Sequence, residues 1–327
     1  MTKKNDPQSW EWSKARAKAA TGPKSGTTTK NRKAIRRPIA EKLVQRLPRH
    51  MRSEAIDLTA TKESLRNTMP FLERVASESS LQDLHPAHAC YVLVQNELSR
   101  LVEQLTRLPE LDRFSRAVSL AEDEYLPSGP PMSPLTHSFF NSWAFFDLGV
   151  GAGRETLGTI SLAVGKALGM GAEFERVLDL FQDSAMGVFE HEGVEGEILT
   201  LRELVTGRVC RAICPSGYRG VAGQLLYARV LPPPLPQLEE HVVFTTPYRL
   251  LAPGKVEWQA YFDRTLPEGP PANRLAAHRT LMKWGPAGNY WSEFVFEAYM
   301  NHRPEVIFLA GLPDVSSSRP HSPDYRK

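Results

Sequence analysis

Apolar residues recur at spacings of three and four through Tyr91, Val94, Leu98, Leu101, Val102, Leu105 and Leu108, the period of a helix with one buried face. Pro86 suits the first turn of that helix, and Pro109 stops it. Similar spacing predicts shorter helices over 61–76 and 110–121, so residues 38–125 read as a helical layer. Beyond the proline-rich stretch 126–137, the aromatic residues Phe139, Phe140, Trp143, Phe145 and Phe146 lead into two more helical patterns, 154–168 and 172–186. The period then changes. Between 188 and 261, short runs rich in Val, Leu, Ile and Tyr alternate with Gly and Pro turns. GEILTLREL, GRVCRAIC, GQLLYARVL, EHVVFTTPYRLL and KVEWQAYF read as four or five antiparallel strands. In the third, Leu226, Ala228 and Val230 share one face and Leu225, Tyr227 and Arg229 the other, as in a half-buried strand of a small barrel or curled sheet. Helices are expected again over 273–284 and 289–302, followed by the apolar run 306–309.

The fold class that follows is α+β: an N-terminal helical layer, then a mixed unit with a small antiparallel β-barrel or curled sheet and C-terminal helices. At 327 residues the chain has room for two units, read as 38–125 and 138–312 with the linker 126–137 between them. The ends, 1–37 and 313–327, read as disordered. Hydrophobic residues at 41% and charged residues at 24% suit a core of ordinary size. The longest apolar stretch, 157–170, is broken by Lys166 and falls short of the ~20 residues that span a bilayer, so no membrane contact is expected. No secretory leader is read in the first thirty residues. Three cysteines, Cys90, Cys210 and Cys214, form no pairing framework and suit free thiols in a reducing, cytoplasmic setting.

Charge changes this picture most. The first forty residues hold eleven Lys and Arg against two acids, a net of +9, and the whole chain's +3 therefore leaves −6 on residues 41–327. A basic arm joined to an acidic body points to a polyanionic partner, nucleic acid first. Lys14, Arg16, Lys18, Lys24, Lys30, Arg32, Lys33, Arg36 and Arg37 are the residues that would neutralise phosphates. Trp10 and Trp12 could give the arm a short docking helix or pack onto the body. The reading is of an intracellular, non-enzymatic binding or accessory protein whose body docks another protein. A metal-dependent hydrolase or nuclease with a site between the two units, and a purely structural interaction module, are the alternatives.

The order of Trp143, Phe146 and Asp147, then Leu201, Arg202, Leu204, Thr206 and Gly207, then Gly223, Leu225, Ala228 and Arg229, resembles uncharacterised bacterial proteins of the kind often found with a SEC-C metal-binding tail. The resemblance covers residues 139–231. It implies a helical layer with a small β unit and assigns no catalytic residue. The last twelve residues contain no cysteine, so the SEC-C motif is absent and neither its metal nor SecB-type binding is implied.

Other constellations read more simply as structure. Gly149, Gly151 and Gly153 precede a helix, with Arg154 placed to touch a phosphate, but no buried strand precedes them and no Walker Lys-Ser/Thr pair follows. A flexible loop between helices fits better. His85, His88, Cys90, Cys210 and Cys214 are zinc-ligand types, yet their spacing lacks the tight two-to-four residue turns of structural zinc sites, so no metal or other cofactor is expected. Glu190, His191, Glu192, Glu195 and Glu197 read as an exposed turn rather than a cation site. Lys255, Glu257 and Asp263 supply nuclease residue types without the spacing, and no motif surrounds a cysteine as a nucleophile. Between 278 and 304, aromatic residues interleave with His278, Arg279, Lys283, His302 and Arg303, a mixture that could stack bases. Trp291, Phe294, Val295 and Ala298 fall on one helical stripe, so core packing explains most of it.

Overall fold

The computed structural model describes residues 38–50, 58–66, 71–126, 132–151 and 153–314. The helical layer consists of α1 (Ile39–His50), α2 (Thr59–Arg66), α3 (Phe71–Ser77), α4 (Pro86–Leu105) and α5 (Asp112–Tyr125). Helix α4 is its centre, because the three-and-four spacing puts Cys90, Tyr91, Val94, Leu98, Leu101 and Leu105 on buried positions. Pro86 sits in its first turn, where the missing N–H costs nothing. The single helix expected over 61–76 is instead two, α2 and α3.

Helix α6 (His137–Ser142) starts under a Thr136 cap, the hydroxyl accepting from Phe139 N at 3.2 Å. It widens into one π-helical turn, Trp143–Asp147, closed by Leu148 N donating to Trp143 O at 2.8 Å. Then come α7 (Leu157–Leu168) and α8 (Ala172–Asp183). Helix α7 begins later than 154, since Val150 and Glu155 bridge and Thr156 with Thr159 forms a capping box.

The strands are β1 (Met186–Glu195), β2 (Ile198–Glu203), β3 (Val209–Ile213), β4 (Leu225–Leu231), β5 (His241–Val243) and β6 (Tyr248–Ala252). After them come α9 (Lys255–Thr265), α10 (Pro271–Trp284), α11 (Tyr290–Ala298), β7 (Tyr299–Arg303) and β8 (Val306–Ala310). The strands form one sheet in the order β1-β2-β3-β5-β4-β6-β8-β7, and β4 also pairs with β1, closing five strands into a barrel. Strand β4 beside β1, β2 and β3 is a Greek key. Two pairings, β3 with β5 and β6 with β8, are parallel; the others are antiparallel. The chain is therefore α+β with helices at both ends and a small barrel between them.

Three further expectations are corrected. Residues 186–195, read as the end of a helix and an acidic turn, are the barrel's first strand, because Phe189 and His191 alternate into its interior. KVEWQAYF is helix α9, not a strand: Trp258, Tyr261 and Phe262 bury one face at helical spacing, while Val256 is 74% exposed. The last expected helix stops at Ala298, and β7 follows it along β8.

Strand β4 is buried on both faces rather than one. Leu226, Ala228 and Val230 fill the barrel with Phe189, Leu199, Leu201, Ala212 and Val243. On its outer face, Leu225 and Tyr227 join the core of α9, α10 and α11, where Trp258, Trp291, Phe294 and Val295 lie. Leu231, with Ile213 and Val242, joins the core of α1 to α4, α7 and α8. Phe181 of α8 sits where that core meets the barrel wall, stacked on Phe146 at 4.9 Å and edge-on to Tyr91 at 4.9 Å and Phe244 at 5.0 Å. Among the described residues no helix is long and apolar enough to cross a membrane.

Candidate functional site

The extended sheet leaves a concave polar surface at the mouth of the barrel. Leu226 on β4, Arg249 on β6 and Phe308 on β8 are cross-strand neighbours, so the barrel's inner face runs on as an open floor. The loop between β3 and β4 makes the opposite wall. The resulting groove has a volume of about 270 Å³ and is lined by Gly217, Tyr218, Arg219, Gly220, Val221, Gln224, Arg249, Arg303 and Glu305. Mouths of β-barrels are a common place for ligands.

The wall is held from three sides. His191, fully buried in the barrel, places Nε2 2.8 Å from the Arg219 carbonyl oxygen. Its backbone N–H donates to Gln224 O at 2.8 Å, and its carbonyl accepts from Gly223 N at 2.8 Å. Gln224 Oε1 accepts from Tyr218 Oη at 2.6 Å and from Val221 N at 3.1 Å. Ser216 Oγ donates to Glu305 O at 2.8 Å and ties the loop to the turn between β7 and β8. Gly220 has φ +60°, and a Cβ there would stand 3.0 Å from Gln224 Oε1, so the turn needs glycine.

Three guanidinium groups reach this groove. Arg219 is exposed and pairs loosely with Glu197 at 3.4 Å. Arg249 and Arg303 form no ion pair among the described residues; each instead places Cζ 5.8 Å from the centre of the Phe308 ring. Several other arginines of the body are matched to its own acids, as in Arg202 with Glu192, Arg211 with Glu195, Arg264 with Asp314 and Arg274 with Asp263. The ring thus fixes two positive groups without neutralising them. Burial pushes the Tyr218 hydroxyl pKa up, and Arg249 and Arg303 partly oppose that shift.

A second charged cluster lies inside the protein. Asp147, ending the π turn, forms an ion pair with Arg229 of β4. Arg229 Nη1 also donates to Ser184 Oγ at 2.7 Å and Ser184 O at 3.2 Å. Lys283 of α10 donates to Gln182 O and lies 3.9 Å from Asp147 Oδ1. Two cations therefore face the carbonyl end of α8, the favourable end for positive charge. The adjoining cleft, walled by Trp143, Tyr227, Trp284 and Trp291, has a volume of about 10 Å³, room for about one water. Burial lowers Lys283 to about 8, with Asp147 opposing and Arg229 adding to the shift. The cluster joins four elements and leaves no space for a substrate; it ties the fold together.

All nine arm residues singled out for phosphate contact, Lys14 to Arg37, lie outside the described residues, as do Trp10 and Trp12. Arg154, the other phosphate candidate, has φ +47° and lies 5.3 Å over the Trp284 ring. The zinc-ligand types do not converge: among the described residues no three His, Cys, Asp or Glu side chains are grouped to hold a metal ion. Cys90 is in the helical core and Cys210 in the barrel; burial pushes their thiols up to about 12 and about 11. The acids of β1 and its following turn each have a separate cation, Lys255 for Glu190, Arg202 for Glu192, Arg211 for Glu195 and Arg219 for Glu197. Lys255, Glu257 and Asp263 lie along α9. In the aromatic stretch 278–304, Trp291, Phe294 and Val295 are core, as the helical stripe implies, while Arg303 reaches the groove.

Arg219 and Arg249 were not singled out by the sequence, since each sits alone in its local pattern and only the strand order brings them together. Searches against protein-family models, curated proteins and solved structures each found no match.

Proposed function

We propose that the protein is a non-enzymatic nucleic-acid-binding or accessory protein whose basic arm supplies the main contact. The observation that carries this reading is the separation of charge, +9 on the first forty residues against −6 on the rest. Cationic segments bind polynucleotides by releasing counterions, a contact tolerant of sequence and weakened steeply by salt. The body supports the reading in two ways. Several of its arginines are paired with its own acids, which leaves the densest positive charge on the arm. Its five-stranded Greek-key barrel has the architecture on which OB-folds bind oligonucleotides and oligosaccharides, an analogy of fold alone.

The test keeps the full chain and replaces Lys14, Arg16, Lys18, Lys24, Lys30, Arg32, Lys33, Arg36 and Arg37 by Gln. Binding to labelled RNA and DNA is measured at about 50 and about 200 mM salt, where several phosphate contacts change affinity by about a thousandfold. The expected result is loss of most binding and a flatter salt dependence, with the thermal transition unchanged. Equal binding by the substituted protein overturns the reading. Preference for an acidic protein over either nucleic acid would assign the arm to a protein surface instead.

A further inference from the structure

We propose that the barrel-mouth groove is a second, separate contact for single-stranded nucleic acid, holding a backbone phosphate between Arg249 and Arg303 with Arg219 at its rim. The inference rests on the reading of the protein as a nucleic-acid binder, but it uses none of the arm's residues.

The argument starts from what the groove lacks. Arg249 and Arg303 have no carboxylate within 4 Å among the described residues, and unlike the body's other unpaired arginines they share one ring inside a concave surface. Both are set against one aromatic ring on adjacent strands, Phe308 being the register partner of Arg249 on one side and of Asn301 on the other. A guanidinium packed against a ring loses fewer rotamers on binding and keeps its N–H fork for a phosphate. The groove contains one acid, Glu305, against three arginines, so it retains positive charge. Around them stand a tyrosine, a glutamine amide and the backbone of a glycine-rich turn, groups that suit a base edge or sugar. A volume of about 270 Å³ is on the scale of one small ligand, which suits one unstacked nucleotide and excludes a duplex from the groove itself. A single strand exposes its bases and bends to follow such a surface; stacked paired bases do not.

The experiment measures fluorescence anisotropy of labelled 12-residue single strands of RNA and DNA, and of the matched duplex, with the full chain. Four proteins are compared: the parent, Arg249→Gln with Arg303→Gln, the full chain with the nine arm cations singled out above replaced by Gln, and Arg113→Gln with Arg116→Gln, both exposed on α5, as a charge-matched control. The expected result is that the groove pair weakens single-strand binding about tenfold or more, flattens the salt slope by about one contact, and changes duplex binding less than twofold. The control pair stays within twofold for every probe. Loss of single-strand affinity in the groove pair supports the proposal even if the arm variant binds normally, in which case the arm reading fails alone. Unchanged single-strand binding in the groove pair overturns the groove proposal while leaving the arm reading intact. Equal losses on duplex, or in the control pair, overturn it as general electrostatics. Competition by a free nucleoside monophosphate, with strand binding unaltered by the substitutions, reassigns the groove to a free nucleotide and also overturns it. Melting curves of the Gln variants guard against unfolding, and Tyr218→Phe, which keeps the ring but removes the hydroxyl bonded to Gln224, gives an independent probe of the same wall.

Discussion

Phe181→Ala is expected to destabilise the whole body rather than one part of it. Phe181 is fully buried and makes three close ring contacts: with Tyr91 from the helical layer, Phe146 from the π turn, and Phe244 from the segment after β5. Truncating a buried Phe costs about 3–5 kcal/mol through lost transfer and the remaining cavity. Each aromatic pair contributes a further ~0.5–1.5 kcal/mol, so the expected loss lies near the top of that range, about 5 kcal/mol. With a urea dependence of about 3 kcal/mol per molar, the midpoint falls by about 1.7 M. The assay is urea unfolding followed by far-ultraviolet circular dichroism and by tryptophan fluorescence. Trp258 and Trp291 lie in the separate core of α9 to α11, which none of the three rings around Phe181 joins, so their fluorescence reports on that second core. If the helical layer and barrel fold as one cooperative unit, both signals shift together. A loss below about 2 kcal/mol, or a fluorescence transition that stays in place, refutes this reasoning.

Lys283, lowered to about 8 by burial, with Asp147 and Asp183 opposing and Arg229 adding, should make stability rise with pH between about 8 and 10.5 through this one group, because the unfolded chain holds the proton over that window and the folded chain does not. Lys283→Met should remove that rise in unfolding free energy, and an identical slope in the variant would contradict it. The thiols of Cys90 and Cys210, pushed up to about 12 and about 11, should react with a disulfide reagent at pH 8 orders of magnitude more slowly in the folded protein than in urea. Rapid labelling of either in the folded state would show that its surroundings open. Gly220→Ala should cost roughly 1 kcal/mol and lower the groove's affinity without altering the arm's, as measured by melting and strand binding side by side.

Much of this architecture is legible along the chain because local periodicity and burial agree. The α4 pattern from Tyr91 to Leu105 names its own buried face, and Gly and Pro bound β2, β3 and β4. Legibility fails where tertiary cover changes the rule. In α9, the alternation of Val256, Trp258 and Ala260 imitates a strand, and only packing of Trp258 with Tyr261 and Phe262 decides for helix. In β1, acids at 190, 192 and 195 suggest a solvent turn, yet cations from three other segments neutralise them. The groove was illegible for a geometric reason. Arg219, Arg249 and Arg303 are distant in sequence, and a parallel pairing of β6 with β8, which no local signal encodes, brings the last two to one ring.

Strand β4 has one further consequence. Its seven residues answer to three different neighbours at once, with the lumen on one side and two separate helical packings on the other. Slippage by a single position would drive Arg229 into the apolar channel and swing Ala228 toward Asp147, spoiling every contact together. This short segment acts as the keystone of the molecule: variation in length can accumulate in the turns around it, but not within it.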